Sequence, residues 1–77
     1  MLRLKNIKVG DKIAEADFIP EDSQECGHIV VDLERKEVIA ITHVKGYEIM
    51  HPSHAKRQLL RMADAGDHRK ECLVMWY

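Results

Sequence analysis

The sequence predicts a small α+β domain, with a mostly antiparallel sheet packed against a single helix in the order β-β-β-α-β. Three observations carry that expectation. The first half holds β-branched, alternating segments separated by turn residues. One later stretch, from Pro52 to Ala65, repeats apolar residues at helical spacing. The chain then closes on a run that is apolar on both sides, Glu71 to Tyr77. Residues 1–77 read as one domain, since neither a linker nor a repeat divides them.

Leu4, Ile7 and Val9 open the chain with an irregular apolar spacing that ends at the turn signal Gly10-Asp11, and no strand is assigned there. Lys12 to Ile19 alternates, with Ala14, Ala16 and Phe18 on one side and Glu15 and Asp17 on the other. That is the pattern of a strand with one wet face. Pro20 ends it, because proline donates nothing to a ladder. Glu21 to Gly27 is polar and reads as loop.

The clearest hairpin follows. His28 to Asp32 and Val38 to Thr42 are apolar and β-branched at their centres, joined by Leu33-Glu34-Arg35-Lys36. A four-residue loop pairs Val31 with Val38, Val30 with Ile39, Ile29 with Ala40 and His28 with Ile41. A three-residue loop instead puts Ile29, Val31, Ile39 and Ile41 on one face. The residues do not choose between the two. Beyond Gly46, Tyr47 to Met50 can extend the second strand past a bulge.

The helix is expected to begin with Pro52 as its first residue or Ser53 as its N-cap. Ala55, Leu59, Met62 and Ala63, with Leu60 at the margin, make its apolar stripe, and His54, Arg57 and Arg61 lie opposite. Gly66 is the C-cap candidate. In the last strand Cys72, Val74 and Trp76 point one way and Leu73, Met75 and Tyr77 the other. A strand apolar on both faces normally lies inside a sheet covered on both sides, and one helix covers only one. Something else is required for the second face: the N-terminal segment, a second subunit or a partner.

Bulk properties narrow the functional classes. A domain of this size buries only about 60% of the surface its unfolded chain exposes, so disulfides, metal or oligomerisation often reinforce it. With two cysteines, Cys26 and Cys72, a disulfide framework is not expected. The amino-terminal residues lack a signal-peptide core and the apolar runs are too short to span a bilayer, so a reduced cytoplasm is the expected compartment, without membrane. Net charge is −1, but acids dominate Glu15 to Glu37 and bases dominate Lys45 to Lys70. That asymmetry allows head-to-tail self-pairing or one basic face for an anion; the simpler account is solvated surface.

Each chemical constellation has a plainer reading beside it. Cys26 and His28 share a strand face and His51 and His54 begin the helix, ligand types that zinc accepts. The Cys-x-His spacing is tighter than structural zinc sites use, and no metal or other cofactor is expected. Cys26 as a nucleophile would need His43 across the hairpin as base, but Glu21, Asp22 and Glu25 raise a thiol pKa rather than lower it. Cys72 reads as a strand hydrophobe. Glu15 and Asp17 share a strand face but lack an apolar setting that would split their pKa values. Gly10, Gly27, Gly46 and Gly66 are isolated, so no phosphate loop exists.

The basic helix offers Arg57 and Arg61 to phosphates or other anions, against a near-neutral charge and few stacking aromatics, so nucleic acid is not the expected partner. With a nucleic-acid or anion-binding accessory protein using the basic helix face as the alternative and a Cys/His metal-binding domain as the second, the leading expectation is a non-enzymatic protein-interaction or homo-oligomerisation module. Tyr47, Met75 and Tyr77 are its candidate contact residues, and a partner or second copy would cover the second face of the last strand.

Overall fold

A computed structural model describes residues 1–21, 23–48 and 50–75. The elements run β1 Leu2–Val9, β2 Ile13–Pro20, β3 Gly27–Asp32, β4 Glu37–Thr42, α1 Met50–Ala65 and β5 Cys72–Val74. They form one antiparallel sheet in the order β4-β3-β2-β1-β5, with the helix packed on one face. The architecture is α+β as expected, but four strands precede the helix rather than three.

The additional strand is β1, which lies between β2 and β5. Its apolar spacing is irregular because the strand is bulged. The register with β2 runs from Leu2 opposite Pro20 to Lys5 opposite Asp17, then shifts before Lys8 meets Glu15. Asn6 sits at the irregularity with φ of 52°, a left-handed conformation that asparagine tolerates better than most residues. One extra residue converts the two-residue period into Leu2, Leu4, Ile7, all buried.

The β3–β4 hairpin resolves the two registers by using part of each. Asp32 faces Glu37 and Val31 faces Val38, as a four-residue loop requires. A bulge at Ile39 then moves the pairing on by one, so Val30 faces Ala40 and Ile29 faces Ile41. The Asp32 carboxylate fixes the loop by accepting the backbone N–H groups of Glu34 at 2.9 Å and Arg35 at 3.0 Å.

Tyr47 does not extend β4. It lies in a turn, its N–H donating to the Val44 carbonyl at 2.9 Å. The helix starts at Met50, earlier than expected, so Pro52 is its third residue and Ser53 is helical rather than the cap. Proline is tolerated there because the first four helical N–H groups have no intrahelical acceptor. Gly66 ends the helix with φ of 66°. Its N–H reaches the Ala63 carbonyl and that of Asp67 reaches Met62, the two bonds of a Schellman motif.

Ala55, Leu59 and Met62 of the helix meet Leu2, Leu4, Ala14, Ala16, Phe18, Ile29 and Val31 of the sheet in one core, which Cys72 and Val74 close at one edge. Phe18 is its largest fully buried side chain, and it lies over the backbone of Gly27. A Cβ on Gly27 would collide with the Phe18 ring and come within 2.6 Å of the Thr42 carbonyl oxygen. Gly27→Ala should therefore destabilise the domain by about 1–3 kcal/mol through overpacking. Denaturant unfolding with an unchanged midpoint would contradict this packing.

Candidate functional site

The helix occupies one face of the sheet, and the strand residues that alternate to the other face are half-buried or exposed. Alternation along the strands places Arg3, Lys5, Glu15, Asp17, Ile19, His28, Val30 and Leu73 on that second face. A polar chain crosses it. The Asn6 amide donates to Asp17 Oδ2 at 2.8 Å, and Asp17 Oδ1 lies 2.7 Å from His28 Nδ1. His28 Nε2 is 3.4 Å from Glu15, whose other oxygen is 3.9 Å from the Lys8 ammonium. The β1 bulge matters here, because it turns the Asn6 side chain toward β2.

These contacts set the titration of the pair. The Asn6 amide first, and His28 second, hold the Asp17 carboxyl below its ordinary 3.8. The hydrogen bond to Asp17 is the largest influence on His28 and, with help from Glu15, raises it above 6.5 against the opposing desolvation. The charged pair is thus favoured, but the imidazole already has a carboxylate on each nitrogen. Cys26 lies just beyond, its thiol donating to the Gly27 carbonyl at 3.3 Å. Desolvation, and then the Asp17 charge, push that thiol up, which suppresses the nucleophilic thiolate.

The other sequence-derived constellations come apart. His28 lies on the face away from the helix, whereas His51 and His54 belong to the helix. Among the described residues no group of three or more His, Cys, Asp or Glu side chains is placed to hold a metal. The β4 bulge sets His28 against Thr42, so the alignment that would bring His43 across from Cys26 does not form. Arg57 and Arg61 are both exposed on the helix. Tyr47 is engaged within the chain: its ring meets His51 edge-on at 4.7 Å and its hydroxyl donates to the Glu21 carbonyl at 3.4 Å. Met75 is 57% exposed, and Tyr77, with Trp76, lies outside the described residues.

Apart from Ile13 at the start of β2, the exposed large apolar side chains lie on or beside the edge strands β4 and β5. β5 is short, three residues paired with β1, and Leu73 stands 55% exposed beside Met75. It borders a shallow groove of about 250 Å³ lined by Met1, Arg3, Ile19, Pro20 and Leu73. The last strand is thus an edge strand, not an interior one, and the amino-terminal strand pairs beside it rather than covering its second face.

The opposite edge was not singled out by the sequence. β4 is six residues long, and all but Ile41 are classed as exposed. Four of the six, Val38, Ile39, Ala40 and Ile41, are apolar, and Ile39 is 54% exposed. The helix packs against β1, β2, β3 and β5, so β4 projects from the covered part of the sheet.

No protein-family model matches this chain, and neither a curated protein nor a solved structure shows significant similarity to it.

The Asp17–His28 pair should appear in the pH dependence of stability. His28 has its folded pKa raised, so its contribution is complete below about pH 6.5 and is lost as pH rises through the raised value. Asp17 has its folded pKa lowered, so its contribution is present above about 3.8 and is lost on acidification. Because the imidazole is partly exposed, the pair is worth about 0.5–1 kcal/mol. His28→Gln should cost that amount near pH 5.5 and almost nothing at pH 9, flattening the slope between them. Parallel stability curves for the two proteins would refute the assignment.

Proposed function

We propose that this domain is a non-enzymatic interaction module that binds by accepting a β-strand at the free edge of β4. One observation carries the reading: β4 is a six-residue edge strand that is largely exposed although four of its residues are apolar. An edge of this kind presents unpaired backbone N–H and C=O groups, and natural sheets usually shorten, charge or cover it. Strand addition supplies main-chain hydrogen bonds for affinity and side-chain contacts for selectivity. Val38, Ile39 and Ile41 are the β-branched type that packs well across a strand pair.

The bulge at Ile39 supports the same reading. Without it, Val38 and Ile41 would fall on opposite sides of the strand. With it, both lie on the helix side, opposite Val31 and Ile29, while Ile39 is left exposed. Leu73 and Met75 form a second apolar patch on β5, but only three β5 residues pair with β1 there. Binding is assigned to β4 because its longer run gives more backbone to pair.

The test uses isotope-labelled protein at low concentration and a short generic strand-forming peptide of alternating valine and threonine. Saturable amide shifts concentrated on residues 37–42 are expected, because backbone pairing is largely independent of peptide sequence. Ile39→Lys should abolish them while leaving the rest of the spectrum in place. Shifts confined to the helix around Arg57 and Arg61, or none at β4, would rule the reading out.

A further inference from the structure

We infer that the strand received by β4 is the β4 of a second copy of this chain, antiparallel to the first about a two-fold axis at Ala40. The inference rests on the reading of β4 as a strand acceptor and names its partner. A closed two-chain assembly uses the same patch on both subunits. Neighbouring strands related by a two-fold normal to the sheet are antiparallel, so an edge strand can pair with its own copy only if it is self-complementary in that direction.

β4 meets that requirement. Its segment begins with the acid Glu37, continues through Val38, Ile39, Ala40 and Ile41, and leads out to His43 and Lys45, both exposed. Antiparallel pairing about Ala40, with Ile39 bulged in each copy, sets Glu37 against Thr42 of the second copy, next to its exposed His43 and near its Lys45. It also sets Val38 against Ile41, so the helix-side apolar residues of one copy meet those of the other. Parallel pairing would put each Glu37 beside the other, a repulsive arrangement. Glu34, Arg35 and Lys36, the turn charges near this end, lie outside the paired strand.

The two-fold also explains why β4 is apolar on both sides. It joins the two sheets into one of ten strands, twice the five of a single chain, with both helices on the same face. Val38 and Ile41 from each copy then line the seam between those helices. β5 offers a poorer self-pairing, since only three of its residues are in the ladder.

The experiment combines sedimentation with cysteine trapping in the full chain. Wild-type protein should sediment as a dimer at millimolar concentration. Ile39→Lys should weaken self-association at least about tenfold with unchanged circular dichroism, because lysine on an edge strand blocks pairing. Leu73→Lys should leave the dimer intact. In a Cys26→Ser background, Ala40→Cys should oxidise to a disulfide-linked dimer joined at residue 40, mapped by mass spectrometry, whereas Cys26→Ser alone should not. The trapping remains informative if Ile39→Lys fails to fold. A monomeric wild type, a dimer broken by Leu73→Lys instead, or an Ala40→Cys protein that stays uncross-linked while dimeric would each overturn the inference. If the wild type is monomeric yet its β4 amides still shift with the generic peptide, β4 accepts a strand from another protein and only the second-copy assignment fails. If the shifts are missing as well, the strand-acceptor reading falls with it.

Discussion

A single helix of sixteen residues, Met50–Ala65, has to cover an apolar sheet face five strands wide. At about 1.5 Å per residue the helix is roughly 24 Å long, while five strands about 4.8 Å apart span roughly 19 Å between their outer axes. Length is therefore sufficient, but a helix covers a stripe rather than a plane. Its apolar residues Ala55, Leu59 and Met62 settle over β5, β1, β2 and β3, where the sheet supplies Leu4, Ala16, Phe18 and Ile29. What lies beyond that stripe is left to water or to another molecule. The exposed β4 edge and the polar second face both follow from this shortage of cover.

The two uncovered regions differ in chemistry. The second face is held in a polar state by Asn6, Asp17, His28 and Glu15, whose hydrogen bonds link three strands without burying a charge. Among the described residues no buried polar side chain exists, so the core is uniformly apolar and the ionic contacts lie outside it. β4 has no such network among the described residues, and four of its six residues, Val38 to Ile41, are apolar. A polar face is stable in water as it stands, whereas an apolar edge gains by association. This contrast separates a surface that maintains the fold from one suited to binding.

Bulges do much of the positioning. The one at Asn6 restores the core alternation of β1 after Leu4 and delivers the amide that orients Asp17. The one at Ile39 returns Ile41 to the core side and leaves Ile39 outside. In each case one inserted residue reverses which side chains face the helix, because the side-chain period of a strand is two.

The sequence by itself determined the elements whose periodicity is regular. The alternation of Ala14, Ala16 and Phe18, the stripe of Ala55, Leu59 and Met62, and the glycine at position 66 each report a local backbone preference that neighbours do not override. It also identified Cys72 and Val74 as facing opposite to Leu73 and Met75. The tertiary structure alone decided β1, because its bulge erases the local period that marks a strand. It decided the hairpin register, because one bulge mixes two loop-length solutions. It also decided that β4, like the last strand, lies at a sheet edge. Apolar content is visible in a sequence, but which strand ends at an uncovered edge depends on strand order, and strand order is set by pairings between residues distant in the chain.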